Sequence, residues 1–157
     1  IPFTSSSLAL TDKKGLFRSA AGYSIHLGST NWVQASPDKN SEYIETIYRS
    51  SNDENIQAAL TVRLDSLSEP TTLQSYPQKW IKDYPRFGFD VLTAKNVKVG
   101  SQIAFMLDLV NRDNAKQLRQ ILFVKDKHAV SLTCRDDKTH FQKTLRSCND
   151  IIRTFHW

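Results

Sequence analysis

The sequence predicts an α+β domain: an antiparallel β-sheet of about six to eight strands, flanked by α-helices, with a C-terminal amphipathic helix packed on the sheet. Three observations carry this expectation. Residues 56–66 alternate, with Ile56, Ala58, Leu60, Val62 and Leu64 interleaved by Gln57, Ala59, Thr61, Arg63 and Asp65. Such a period of two marks a strand packed on one face and wet on the other, the pattern of an antiparallel sheet. Two further apolar runs, 117–124 and 127–134, are joined by the tight polar turn Lys125-Asp126-Lys127. Finally, Phe141, Leu145, Cys148, Ile152 and Phe155 recur at helical spacing, with Ile151 widening the stripe.

Taken in order, residues 1–14 read as a loosely ordered leader, with the Ser5-Ser6-Ser7 run and Thr11-Asp12-Lys13-Lys14, ahead of a single domain over 15–157. Leu16-Phe17-Arg18 and Tyr23 to Leu27 flank Ala20-Ala21-Gly22 and form a short hairpin. Trp32 follows the polar turn Gly28 to Asn31, a polar loop around Pro37 leads to a strand over Tyr43 to Arg49, and Ser50 to Asn55 is a turn. After Pro70 comes a helix whose Tyr76, Trp80 and Tyr84 lie at i, i+4 and i+8 beside Ile81. Ser75-Tyr76-Pro77-Gln78 resembles a capping box with proline in the first turn, and Pro85 stops the helix. Ile103, Phe105, Leu107 and Leu109 repeat the strand pattern with Asp108 on the opposite face. In the last strand His128, Val130, Leu132 and Cys134 share a face, and Asp136-Asp137 are the expected N-cap of the terminal helix. Its polar face is Gln142, Lys143, Arg146, Asn149, Asp150 and Arg153.

Composition agrees with a folded domain. The chain has 157 residues, 39% hydrophobic, 24% charged and 10% aromatic, which is too apolar for a disordered chain and the right length for one core. The longest apolar runs, such as Ile103 to Leu107, fall far short of the roughly 20 residues a membrane-spanning helix needs. The chain opens Ile1-Pro2-Phe3-Thr4 without methionine, as expected either of a processed mature protein or of a trimmed chain. The formal charge is +5 and unevenly placed: residues 1–94 carry nine Lys/Arg against ten Asp/Glu, residues 95–157 twelve against six. A possible basic face therefore comprises Arg112, Lys116, Arg119, Lys125 and Lys127, although the absence of any cationic run makes a solubilising surface the plainer explanation and nucleic acid an unfavoured partner.

Reactive constellations are not announced. The five glycines are isolated, so no phosphate-cradling loop is present, and there is no G-x-S-x-G elbow. His128, Cys134, His140 and Cys148 offer soft ligands, but none of their spacings matches the close pairs of structural zinc sites, so neither metal nor cofactor is expected. Cys134 and Cys148 fall on the inward faces of the last strand and the helix that packs on it. A disulfide between them fits these positions, and with it an extracytoplasmic (periplasmic or secreted) home; two buried thiols are the alternative. Tyr84-Pro85-Arg86-Phe87-Gly88-Phe89 reads as a loop with aromatic and cationic members after a helix end, making Tyr84, Arg86, Phe87 and Phe89 candidate partner contacts.

Gly22-Tyr23-Ser24-Ile25 leading to Trp32, and Val130 to Cys134 followed by Phe141, Leu145, Ile151-Ile152 and Thr154-Phe155, resemble the PsbP-like family, which includes extrinsic proteins of photosystem II and related bacterial lipoproteins. The resemblance spans roughly residues 15–157. It implies antiparallel sheet with helices on its faces and a partner or assembly module without catalytic activity. The functional expectation is thus a non-enzymatic extracytoplasmic module for a protein or cell-envelope component. The alternatives are a small-ligand or hydrolytic domain with a pocket between sheet and helix, and a polyanion binder using the basic second half.

Overall fold

The computed structural model describes residues 14–51 and 57–157. The expected leader lies outside the described residues except for Lys14, as do Ile56 and most of the turn expected over 50–55. Nine strands are described: β1 (Phe17–Arg18), β2 (Ser24–Ile25), β3 (Val33–Ala35), β4 (Ile44–Arg49), β5 (Ala59–Ser66), β6 (Phe89–Val99), β7 (Gln102–Asn111), β8 (Lys116–Lys125) and β9 (His128–Asp137). Helix α1 (Tyr76–Asp83) precedes β6, and α2 (Phe141–Ile152) follows β9. β1 and β2 form the expected hairpin, while the other seven strands make one antiparallel sheet in the order β3-β4-β5-β9-β8-β7-β6.

The two helices lie on opposite faces. Val62, Ile121, Phe123, Val130, Leu132 and Cys134 meet Phe141, Leu145, Cys148 and Ile152 of α2 in the main core. The end of the chain is tied into this core by backbone bonds in both directions between Ser24 and His156, 2.7 and 3.0 Å. There Phe155 stacks on Phe123 at 4.0 Å and on Tyr23 at 5.2 Å, with Trp157 edge-on at 5.4 Å. A smaller cluster joins Tyr76, Phe105, Leu107, Leu122 and Ala129 beneath α1.

That second cluster corrects the expectation of one packed and one wet face. On β5, Ala59 and Asp65 were to face water, yet both are buried, Asp65 because the Tyr76 hydroxyl donates to its carboxylate from α1. On β7 the two faces feed different clusters: Ala104 and Met106 join the main core, Phe105 and Leu107 the smaller one, and Ile103 is exposed.

Local signals at the helix ends also behave differently from the sequence pattern. Ser75 occupies the N-cap of α1 in αR geometry and its hydroxyl caps nothing; the Gln78 N–H reaches the Ser75 carbonyl instead, at 3.2 Å. Upstream, the Thr72 hydroxyl accepts from the Ser75 N–H at 3.1 Å. Asp136 and Asp137 belong to β9, and the residue at the N-cap of α2 is His140, held by Asp137. β9 runs three residues further than its apolar pattern because its pairing with β8 continues to Lys116↔Asp137.

Candidate partner-binding surface

The segment 84–89 is not a loop. The α-helix ends at Asp83, just ahead of Pro85 as expected, and the chain winds on as the 3-10 turn Tyr84–Phe87, because proline lacks the N–H an α-helix would need but suits a first helical turn. Gly88 ends the turn at φ 91°, a left-handed conformation that a side chain would strain, and its N–H returns to the Pro85 carbonyl at 3.3 Å. β6 starts at once with Phe89. Arg112, in the turn just after β7, fastens the corner: Nη2 donates to the Pro85 carbonyl at 2.8 Å, and Nη1 to the Phe89 carbonyl at 3.3 Å and to Asp90 Oδ1 at 2.7 Å. Its backbone N–H donates to the Gly88 carbonyl at 2.9 Å.

This geometry divides the four aromatic and cationic candidates. Tyr84 turns inward, stacked on Trp80 at 6.2 Å and donating to Gln120 Oε1 at 2.6 Å, and Phe89 meets its ring edge at 5.8 Å. Burial pushes the Tyr84 phenol above its ordinary value, with the Gln120 bond pulling the other way. Phe87 instead is 64% exposed, and Arg86 points outward with Nη2 on Asp83 at 2.8 Å.

Next to this corner, Arg63 lies between two rings, its guanidinium 4.8 Å from the centre of Tyr43 and 5.4 Å from that of Trp80. Its Nε and Nη2 both donate to Asp65 at 3.3 Å. Burial, reinforced by the bond to Asp65, drives the Tyr76 phenol far upward, so it remains a donor at any ordinary pH.

The five residues of the expected basic face are dispersed. Lys116 and Lys125 mark the two ends of β8, roughly 30 Å apart for a strand of this length. Arg119 forks onto Asp108 at 2.7 and 2.9 Å, Arg112 is committed to the corner, and Lys116 Nζ donates to Gln57 at 2.8 Å. Lys125 sits 5.8 Å from the Trp157 ring, and Lys127 is exposed in the adjoining turn.

A cleft of about 280 Å³ opens between α2 and the far strands, lined by Val97, Met106, Arg119, Ile121, Asn149 and Ile152 among others. Among the described residues, neither a carboxylate nor a histidine lines it. The four soft ligands singled out in the sequence do not converge. Cys134 and Cys148 have their sulfurs 2.08 Å apart and their Cα atoms 6.0 Å apart, His128 Nδ1 lies 3.3 Å from the Ser66 hydroxyl, and His140 turns to Asp137 at 2.8 Å. Asp136, Asp137 and His140 come together within 4.8 Å. Asp136 is buried and accepts from Thr144 and from the Asp137 N–H. At Asp137, burial raises the carboxyl, but the His140 backbone and ring bonds, its charge and the Thr139 N–H outweigh it and hold the group below the usual carboxylate range.

No protein-family model matches the chain. No curated protein does either. Solved structures do: the chain superposes on cyanobacterial PsbP (CyanoP) from Synechocystis sp. PCC 6803 with a TM-score of 0.63, covering 93% of this chain and 94% of that one at 13% identity. The fold is PsbP-like. Similar superpositions reach a protein of unknown function from Pseudomonas aeruginosa, at TM-score 0.60 and 11% identity over 91% and 96% of the two chains, and one from Bacteroides thetaiotaomicron at 0.61 and 11%. The chain spans 92% of itself but only 48% of the Bacteroides chain. At these identities the PsbP-like likeness concerns architecture. No helix among the described residues is long and apolar enough to cross a membrane.

The aromatic content of the segment pointed to the corner, but not to which rings it exposes. That division depends on the 3-10 turn and on Arg112, whose side chain reaches back 27 positions to Pro85. Arg49, Arg63 and Arg135 escaped notice as a group because only strand pairing brings them to one face.

Proposed function

We propose that this chain is a non-enzymatic, extracytoplasmic protein-binding module, with residues 15–157 acting as one domain, that grips its partner through the Arg86–Phe87 corner. The observation that carries the proposal is Phe87: a large ring 64% exposed on a turn fastened by four hydrogen bonds from Arg112. An aromatic side chain carried into water on a fastened corner forgoes the burial that would stabilise the fold, and aromatic and arginine anchors are what protein interfaces concentrate. The PsbP-like architecture supports the reading by analogy, and the buried cysteine pair at bonding distance supports an oxidising compartment.

The test compares immobilised wild type with Phe87→Ala in capturing a partner from native envelope extract. The expected result is a partner retained by the wild type and lost by the variant, whose thermal midpoint stays within a few degrees because an exposed ring contributes little to stability. Arg112→Ala should also weaken capture, since it frees the corner while leaving Phe87 in place. Identical captures from wild type and Phe87→Ala would remove the proposal, as would turnover of a small substrate by the purified chain.

A further inference from the structure

The sheet face beneath α1 is only partly roofed. α1 and its 3-10 extension pack over Phe105, Leu107, Leu122 and Ala129, and no helix among the described residues covers the side toward β3. Strand register fixes what that side carries. Arg49 pairs with Ala59 and Ala59 with Arg135, so the two arginines stand on the same face astride a buried alanine, about 10 Å apart. Two residues along, Ile47, Thr61 and Thr133 form the next row, followed by Ile44, Arg63 and Ser131. Val33, opposite Arg49 on β3, is 48% exposed, and Tyr43 beside Arg63 is 54% exposed.

Three guanidinium groups are thus set among apolar and aromatic side chains. Among the described residues, the carboxylates at the border are engaged or peripheral. Asp65 is held by Arg63 and Tyr76, Asp137 by His140, and Glu42 lines the hollow beside Tyr43. Arginine forks match carboxylates in a two-bond geometry. Arg49 and Arg135 supply such forks, while Arg63, whose Nε and Nη2 already donate to Asp65, adds positive charge at the border. Apolar surface between the charges favours a partner offering both carboxylates and apolar side chains over one offering phosphates alone. From this face, we infer that the strip of Arg49 and Arg135 around Val33 and Ile47, with Arg63 at its border, docks an acidic segment of the partner protein, one whose glutamates or aspartates are interleaved with apolar residues. The inference rests on the protein-binding reading above and names the chemistry of the second contact.

A fluorescein-labelled peptide alternating glutamate with leucine and phenylalanine serves as probe, with fluorescence anisotropy as readout. Wild type should bind it, and Arg135→Glu with Arg49→Glu should weaken binding on the order of tenfold or more by setting like charges against the ligand. Lys125→Glu with Lys127→Glu, far along the sheet, should leave binding unchanged. Arg135 is exposed, so Arg135→Glu alone carries the test if the double variant fails to fold. Absence of peptide binding overturns the inference, and so does equal loss from both pairs of substitutions. Tighter, arginine-dependent binding of heparin or of vesicles bearing phosphatidylglycerol also overturns it, in favour of a polyanion or a membrane surface. With the captured partner in hand, the two readings separate: capture abolished by Phe87→Ala but untouched by Arg135→Glu sinks this inference and leaves the protein-binding reading intact.

Discussion

Opening the bond between Cys134 and Cys148 perturbs the protein at the seam between β9 and α2 without touching the proposed contact surface. Both residues are fully buried, and they lie 14 positions apart. In the chain-entropy treatment, a crosslink closing a loop of this length restricts the unfolded chain enough to contribute about 3 kcal/mol. For a chain of this size each kcal/mol moves the thermal midpoint by about 2–4 °C, so reduction should lower it by about 6–12 °C. The assay is a thermal melt with and without a phosphine reductant, run beside the double variant Cys134→Ala with Cys148→Ala. The variant should melt lower than oxidised wild type and ignore the reductant. Thiol labelling in denaturant supplies the independent count: no thiols before reduction, two after. A wild-type midpoint that does not move on reduction, or two thiols labelled without it, would refute the reasoning and take away the argument for an oxidising compartment.

Other expectations test the core and its polar insertions. Phe155→Ala should destabilise the chain by about 3–5 kcal/mol in chemical denaturation, because the ring is 1% exposed and stacked between Phe123 and Tyr23; a loss under about 1 kcal/mol would mean the chain end is not seated as described. Tyr76→Phe should cost about 1–3 kcal/mol by leaving buried Asp65 short of a donor, with no change in peptide binding at the open strip. Burial raises the phenols of Tyr23, Tyr48, Tyr76 and Tyr84 in the folded state. Unfolded tyrosine ionises near pH 10, so their stabilising contribution is complete below that pH and is lost as the pH climbs beyond it. Ultraviolet titration should therefore show most phenolate appearing together with unfolding, whereas smooth ionisation of a folded chain would contradict the burial.

How far the sequence revealed the fold depends on how each element is solvated. β5, β9 and α2 were plain because each sets an apolar row against polar residues, and burial follows those rows at Leu60, Val62, Val130, Leu132, Leu145 and Cys148. β6 went unseen. It is an edge strand in which only Val99 is buried, and Thr93, Lys95 and Asn96 interrupt its apolar residues. A register shift between Val91 and Thr93 sets Val91 on the face of the smaller cluster and Val97 and Val99 on that of the main core. Three-residue β3 is too short to show a period. The roof over the second face was hidden for another reason: Asp65 is polar and reads as wet, and only its bond to Tyr76 explains its burial. The candidate surface was legible as a segment rich in rings and cations, but exposure at Phe87 and the convergence of Arg49 with Arg135 arise from tertiary pairing that linear order does not display.

The measurement that bears most directly on function is photocrosslinking in the native envelope with a photoreactive phenylalanine analogue placed at position 87 or, as a control, at position 143 on the solvent side of α2. Attachment of one discrete partner from position 87, and none from position 143, is the predicted outcome. No adduct at 87, or the same adducts from both positions, would contradict the assignment of this corner as the contact surface.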